Sequence, residues 1–251
     1  MARSKVAAAA CAALVAMGCV AGVGTQPANA VHVEPAYLRK RTALAVVHPD
    51  GRVSISPTAE EPRPALSLAK LYLGYWVLYN GTEEEKAQVE EMVSTSSDRI
   101  AGRLDRKYPQ AIDEIADDFD LTKTARGTHW GNSRTSARDV ATFISSIVWD
   151  PVAKPLFAGM ADQADIAADG FFQGFGTARL KNVKGSKMGW SDDRAGATAS
   201  VSWGEIGDET FAVAALTSGT AYQNTVDTRV GIAMVEDTPS KEKYSRPTSS
   251  R

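Results

Sequence analysis

From Ser67 to Gly81 the sequence reads SLAKLYLGYWVLYNG, a run that is apolar on nearly every side at helical spacing and that ends on an Asn-Gly stop. A helix without a polar face has nothing to offer water, so the rest of the chain must enclose it. Whatever this protein is, it is built around that helix. The run carries one ammonium group, Lys70, one turn after the hydroxyl of Ser67 and on the same face.

The flanking sequence supplies the enclosure. TALAVVHPDGRVSIS reads as two strands joined at Pro49-Asp50-Gly51. TEEEKAQVEEMVSTSS reads as a helix with Thr82 as N-cap and Val89, Met92 and Val93 on one stripe, and a further helix starts at Ser97 or Asp98 and carries Ile100 and Leu104. Ile112, Ile115 and Phe119 mark another helix, and SARDVATFISSIV marks one from Ser136, so residues 82–165 are expected to be mostly helical. Strand patterning returns in SKMGW, ATASVSWGEIGD and ETFAVAALTSG, the last two forming a hairpin at Gly207-Asp208. A closing helix places Val226, Val230 and Met234 in line. Strands at both ends with helices between them predict an α/β (α+β) fold: an antiparallel sheet made from both chain ends, covered by helices and carrying a helical insert.

The first 30 residues stand apart. MARSK, an apolar run from Val6 to Val23 and the small-residue site Ala28-Asn29-Ala30 follow the order of a secretory signal. A retained membrane anchor and a lipid-modified Cys19 are the alternatives. Export is the common consequence. The domain is then expected over 31–237, with 238–251 as a disordered tail.

Both cysteines, Cys11 and Cys19, fall in the leader, which leaves the domain neither a disulfide nor a thiol nucleophile. The leader also holds two of the 28 basic residues and none of the 30 acidic ones, so the remainder carries 26 against 30, a formal charge of −4. That balance argues against a nucleic-acid partner. The three histidines, His32, His48 and His129, lack metal-ligand spacing and no glycine-rich phosphate loop is present, so no metal or cofactor is expected. A monomer without a membrane span in its mature form is the simplest expectation.

Burial disfavours a charged ammonium, so a lysine inside this helix can be partly neutral and able to take the serine proton. The alternative is that Lys70 snorkels to the surface from the first turn. Taken alone, a Ser-x-x-Lys pair is weak, and the tail has its own at Ser240 and Lys243. Two later stretches add weight: Ser97, Asp98 and Arg99 at a loop-to-helix junction, and Lys187, Met188 and Gly189 on a strand before the final hairpin.

In that order and in those elements the three stretches resemble the SxxK, SDN and KTG motifs of serine β-lactamases and penicillin-binding proteins, class A in particular. The resemblance covers nearly the whole domain. It implies that Ser67 is an acylated nucleophile with Lys70 as its base, that Ser97 relays a proton to the leaving group, and that Lys187 lends positive charge. It also implies an oxyanion hole from the backbone N–H groups of Ser67 and Trp190. The substrate class would be a cell-wall peptide or another small amide or ester.

Several positions depart from the family pattern. Arg99 stands where the family has an asparagine side chain, and it cannot accept a hydrogen bond. Met188 replaces a hydroxyl residue that donates to a substrate carboxylate, a loss of about 1.5–3 kcal/mol; Arg194 is the candidate to compensate. Ser67 and Ser97 are only 30 residues apart, so the helical insert is trimmed. The omega-loop region, DFDLTKTARGTHWGNSR, holds Asp118 and Asp120 but no recognisable ExxLN motif, which predicts a persistent acyl-enzyme and poor β-lactamase turnover. Two readings follow: an exported serine hydrolase or acyltransferase, or a catalytically silent member of the same fold that serves as a cell-envelope binding or scaffold protein.

Overall fold

A computed structural model describes residues 31–48 and 50–234. The leader with both cysteines, Pro49 of the first turn and the tail from 235 lie outside the described residues, so the expectations for cleavage, lipid modification and tail disorder lie there too. In chain order the elements are β1 (Val31–Val33), β2 (Thr42–Val47), β3 (Val53–Ile55), β4 (Arg63–Pro64), α1 (Ala69–Asn80), α2 (Glu83–Lys86), α3 (Val89–Ser94), α4 (Asp98–Lys107) and α5 (Ala111–Asp118). There follow β5 (Arg134–Thr135), α6 (Ala137–Ile147), α7 (Lys154–Ala161), β6 (Val183–Trp190), β7 (Thr198–Ile206), β8 (Glu209–Thr217), α8 (Ala221–Gly231) and β9 (Ile232–Met234).

Five strands form one antiparallel sheet in the order β3-β2-β8-β7-β6, which joins the two ends of the chain at the β2–β8 pair. Every residue of β2 is buried, because alternate side chains enter two cores. Ala43, Ala45 and Val47 face the helices with Ala212, Ala214 and Leu216, while Leu44 and Val46 join Phe211, Val213, Ile232 and the β1 side chains on the other face. The small residues of the inner face let α6 lie close on β2 and β8.

The helix α1 is enclosed as its sequence demands: residues 69 to 78 are all buried. Its few polar atoms are matched one by one. The Tyr72 hydroxyl meets Thr135 Oγ1 at 2.8 Å, Trp76 Nε1 donates to Glu114 at 2.6 Å, and the Tyr75 and Tyr79 hydroxyls both donate to Asp150 Oδ2 at 2.8 and 2.7 Å. Gly81 ends the helix through close approach, since a Cβ there would lie 2.8 Å from the Val77 carbonyl oxygen.

Two expectations need correction. The segment after Thr82 is two short helices, α2 and α3, not one. The Gln88 N–H bonds Glu85 O in a tighter turn at 3.1 Å while the Gln88 side chain takes Glu84 O at 2.7 Å, which breaks the α-helical ladder. The closing helix ends at Gly231, and Met234 sits in β9, paired with Val31. Its buried face is polar: Asn224, Asp227 and Thr228 are fully buried, whereas Val230 is half exposed. The reason is the partner surface, where Ser200 Oγ bonds Asn224, and Arg39, Arg41 and Thr42 converge on Asp227.

Candidate active site

A 3-10 turn over Leu66–Leu68 leads into α1 and presents Ser67 at the mouth of a cleft of about 440 Å³. Leu66, just before it, has a φ of 53°, a left-handed conformation that a branched side chain adopts only at a cost of order 1–3 kcal/mol. The turn is held against β6, where a Cβ on Gly189 would come within 2.7 Å of Ser67 N. Only glycine lets the strand approach the serine backbone so closely.

Lys70 does not snorkel. Its side chain is completely buried, and its Nζ donates to Ser67 Oγ and to Asp98 Oδ1, each at 2.7 Å, and lies 3.8 Å from the centre of the Trp130 ring. Burial pulls its pKa down, the Asp98 carboxylate and more distant Asp169 pull it back, and the balance falls at about 8. A substantial neutral fraction is therefore present slightly above physiological pH, held in contact with the hydroxyl whose proton it can accept.

The second buried lysine, Lys187 on β6, donates to Ser96 Oγ at 2.9 Å and to its neighbour's carbonyl, Met188 O, at 2.8 Å. Burial and the neighbouring Lys70 push its pKa well down, against the pull of Asp98 and Asp169. The hydroxyl at Lys187 is thus that of Ser96, not Ser97. Ser96 has a φ of 56°, which turns its side chain inward, while the Ser97 oxygen accepts the Ile100 N–H at 3.3 Å as the N-cap of α4. The same one-residue displacement brings Asp98 rather than Arg99 to Lys70. Arg99 points outward, three-quarters exposed, 3.9 Å from Glu91.

Just past the end of β6 the Ser191 N–H bonds Ala197 O, so by strand alternation the N–H of Trp190 points away from β7, to the open edge of the sheet. The Trp190 indole lines the cleft, stacks on Phe171 at 4.6 Å and donates to Asp169 Oδ2 at 2.8 Å. Met188 is fully buried and its sulfur accepts from Gln163 at 3.0 Å, so it does not line the cleft. Arg194 does line it, but its guanidinium donates to Asp169 O at 3.0 Å and lies over Phe171.

Across the cleft the expected omega-loop segment presents His129, Trp130, Gly131 and Asn132. It is pinned by the Ala125–Arg134 bridge and by Arg126, which grips buried Asp105 at 2.7 and 2.8 Å. Asp118 and Asp120 do not line the cleft; Asp120 borders a separate surface hollow with Lys123 and Arg138. His129 Nδ1 accepts the Gly131 N–H at 3.0 Å, which leaves Nε2 as a donor in the neutral ring. The loop thus brings no carboxylate to the cleft. Ser96, Trp130, Asn132, Asp169 and Asp192 are site residues that sequence reasoning missed. Among the described residues no group of three or more His, Cys, Asp or Glu side chains is placed to hold a metal ion, and no helix is long and apolar enough to cross a membrane.

No family model and no curated protein matches the chain; the similarities are to solved structures. Penicillin-binding protein D2 from Listeria monocytogenes, in a cefotaxime-bound form, aligns at a TM-score of 0.59 and 18% identity, over 77% of this chain and 96% of that one. A D-alanyl-D-alanine carboxypeptidase from Mycobacterium tuberculosis aligns at 0.58 and 14%, over 82% and 94%. A β-lactamase from Streptomyces albus G aligns at 0.60 and 16%, over 76% and 92%. The chain has the fold shared by penicillin-binding proteins, DD-carboxypeptidases and serine β-lactamases.

Proposed function

We propose that this chain is an exported serine acyl-transfer enzyme of the DD-peptidase and β-lactamase type, which works through an acyl-Ser67 intermediate and releases it slowly. The observation that carries the reading is the buried contact between Lys70 Nζ and Ser67 Oγ. Neutral Lys70 takes the hydroxyl proton as Oγ attacks the acyl carbonyl, and the oxyanion forms between the N–H groups of Ser67 and Trp190. The leaving group collects a proton from the Ser96 hydroxyl, which Lys187 holds at 2.9 Å, and the proton gained by Lys70 passes back to the Ser96 oxygen as the ester forms, so both groups are restored. Hydrolysis of the ester then needs a base for water; the loop opposite supplies an indole, an amide and the His129 imidazole, whose Nδ1 is already occupied by the Gly131 N–H, where a carboxylate would serve.

One observation favours the rival reading of a silent binding module: Asp98 stabilises the charged form of Lys70 and so opposes its role as base. The two readings separate on incubation of the protein with a fluorescent penicillin and with an acyl thioester. A covalent adduct that decays over many minutes is expected from the first reading. A folded protein that acquires no adduct from either reagent between pH 6 and 9 is the silent module.

A further inference from the structure

The charge of the cleft is arranged against the substrates that its fold would suggest. Lys187 is fully buried and absent from the cleft surface, and Met188 is buried too, so the strand offers no charged or hydroxyl contact to a carboxylate. The guanidinium of Arg194 is engaged by Asp169, through its carbonyl at 3.0 Å and its carboxylate at 4.0 Å. Three carboxylates line the same cleft, those of Asp98, Asp169 and Asp192. Each Asp169 oxygen already accepts one hydrogen bond, from Trp190 Nε1 and from Phe171 N, with Arg194 4.0 Å away, whereas Asp98 uses one oxygen on Lys70 and is two-thirds exposed, and exposed Asp192 has no partner among the described residues.

Two cations packed against residues of the cleft wall show what these walls accept, Lys70 from the buried side and Arg194 from the cleft itself. Lys70 sits between a carboxylate, Asp98, and the face of Trp130; Arg194 sits between a carboxylate, Asp169, and the face of Phe171. Both are seats of carboxylate and aromatic ring. Resting on the reading of Ser67 as an acylated nucleophile, we propose that this cleft selects acyl donors that carry an ammonium or guanidinium group, seated against the open oxygen of Asp98 and against Asp192, and that it discriminates against donors ending in a carboxylate.

The position of Asp98 gives this selection a chemical consequence. Its carboxylate is one lysine nitrogen away from Ser67 Oγ. A substrate cation that shares Asp98 weakens the hold on the Lys70 proton, so the substrate itself promotes the base form of Lys70. A carboxylate in the same place does the reverse, and adds like-charge repulsion in the half-enclosed space beside the nucleophile.

The test uses three benzoylglycyl compounds of equal length, ending in an ammonium, a methyl ester and a carboxylate. As amides they report binding to the Ser67→Ala variant by calorimetry; as thioesters they report acylation of the intact protein by mass. The expected binding order is ammonium, then ester, then carboxylate, with about tenfold or more between the extremes at low salt, shrinking as salt rises. Asp192→Asn, at an exposed side chain that the fold does not use, is expected to reduce that span. Equal or tighter binding of the carboxylate compound overturns the proposal, as does a span that Asp192→Asn and Asp98→Asn both leave unchanged. If the binding order holds while no thioester acylates the intact protein, the charge selection stands and the enzymatic reading falls.

Discussion

Ser96 and Ser97 are adjacent, chemically identical and assigned different work by the backbone. The left-handed φ of Ser96 sends its hydroxyl to Lys187, and the extended Ser97 caps α4. Ser97→Ala is therefore expected to cost about 0.5–2 kcal/mol of stability, read by urea unfolding, and to leave the acylation rate of the folded protein within a few-fold. Ser96→Ala is expected to slow acylation by about 10²-fold or more, as loss of a proton donor does. The reverse pattern would return the proton relay to Ser97. At Asp98 the prediction concerns pH. Acylation of the native protein should rise with pH to a midpoint near 8, where Lys70 loses its proton. Asp98→Asn removes the nearest opposing charge, so its midpoint should move down by about 1–3 pH units; an unchanged or higher midpoint would show that Lys70 is not the titrating base. The pairing of Lys70 with Ser67 was legible in the sequence, because an ammonium at the head of an all-apolar helix must either reach the surface or lose its water beside a polar partner, and Ser67 is one turn away. Which of two neighbouring serines faces Lys187 was not, since that rests on one dihedral angle.

At the scale of elements, the strand β6 acts through its backbone more than its side chains. Gly189 lets it close on the serine turn and aim the Trp190 N–H across the edge. Gly189→Val would push the strand from Ser67 and is expected to lower acylation by about 10²–10³-fold, the effect of losing one oxyanion donor, with far smaller change in ligand affinity. Paired rate and binding measurements check this; an equal loss in both would mean a collapsed cleft instead. Elements with apolar periodicity were readable. The helix α1 is enclosed on all sides and α6 buries its apolar stripe on the sheet. The helix α8 was misread for a reason of the same kind: it buries Asn224, Asp227 and Thr228 in a polar network, and hydrophobic spacing is blind to a face held by hydrogen bonds.

For the molecule as a whole, strands from the two halves of the described chain pair in one sheet, and a buried carboxylate braces their junction. Asp227 on α8 accepts from Arg39, Arg41 and Thr42, near the start of β2. Burial raises its pKa, but these hydrogen bonds outweigh that and hold it at about 2. Its contribution to stability is then complete above its ordinary value of 3.8 and lost as pH falls from there toward 2. Asp227→Ala should cost about 2–4 kcal/mol in urea unfolding at pH 7 and flatten that acid limb. The cleft lies elsewhere in the fold, so acylation of the folded variant should be unaffected.

The central claim is that burial of Lys70 makes Ser67 a nucleophile. It is tested most directly by treating the native protein, Ser67→Ala and Lys70→Ala with a fluorophosphonate, then reading intact mass and mapping the labelled peptide. One adduct per chain on Ser67 is predicted, absent from Ser67→Ala and at least about 10²-fold slower to form in Lys70→Ala. Label that persists in Ser67→Ala, or native protein that stays unlabelled while folded, would contradict the account.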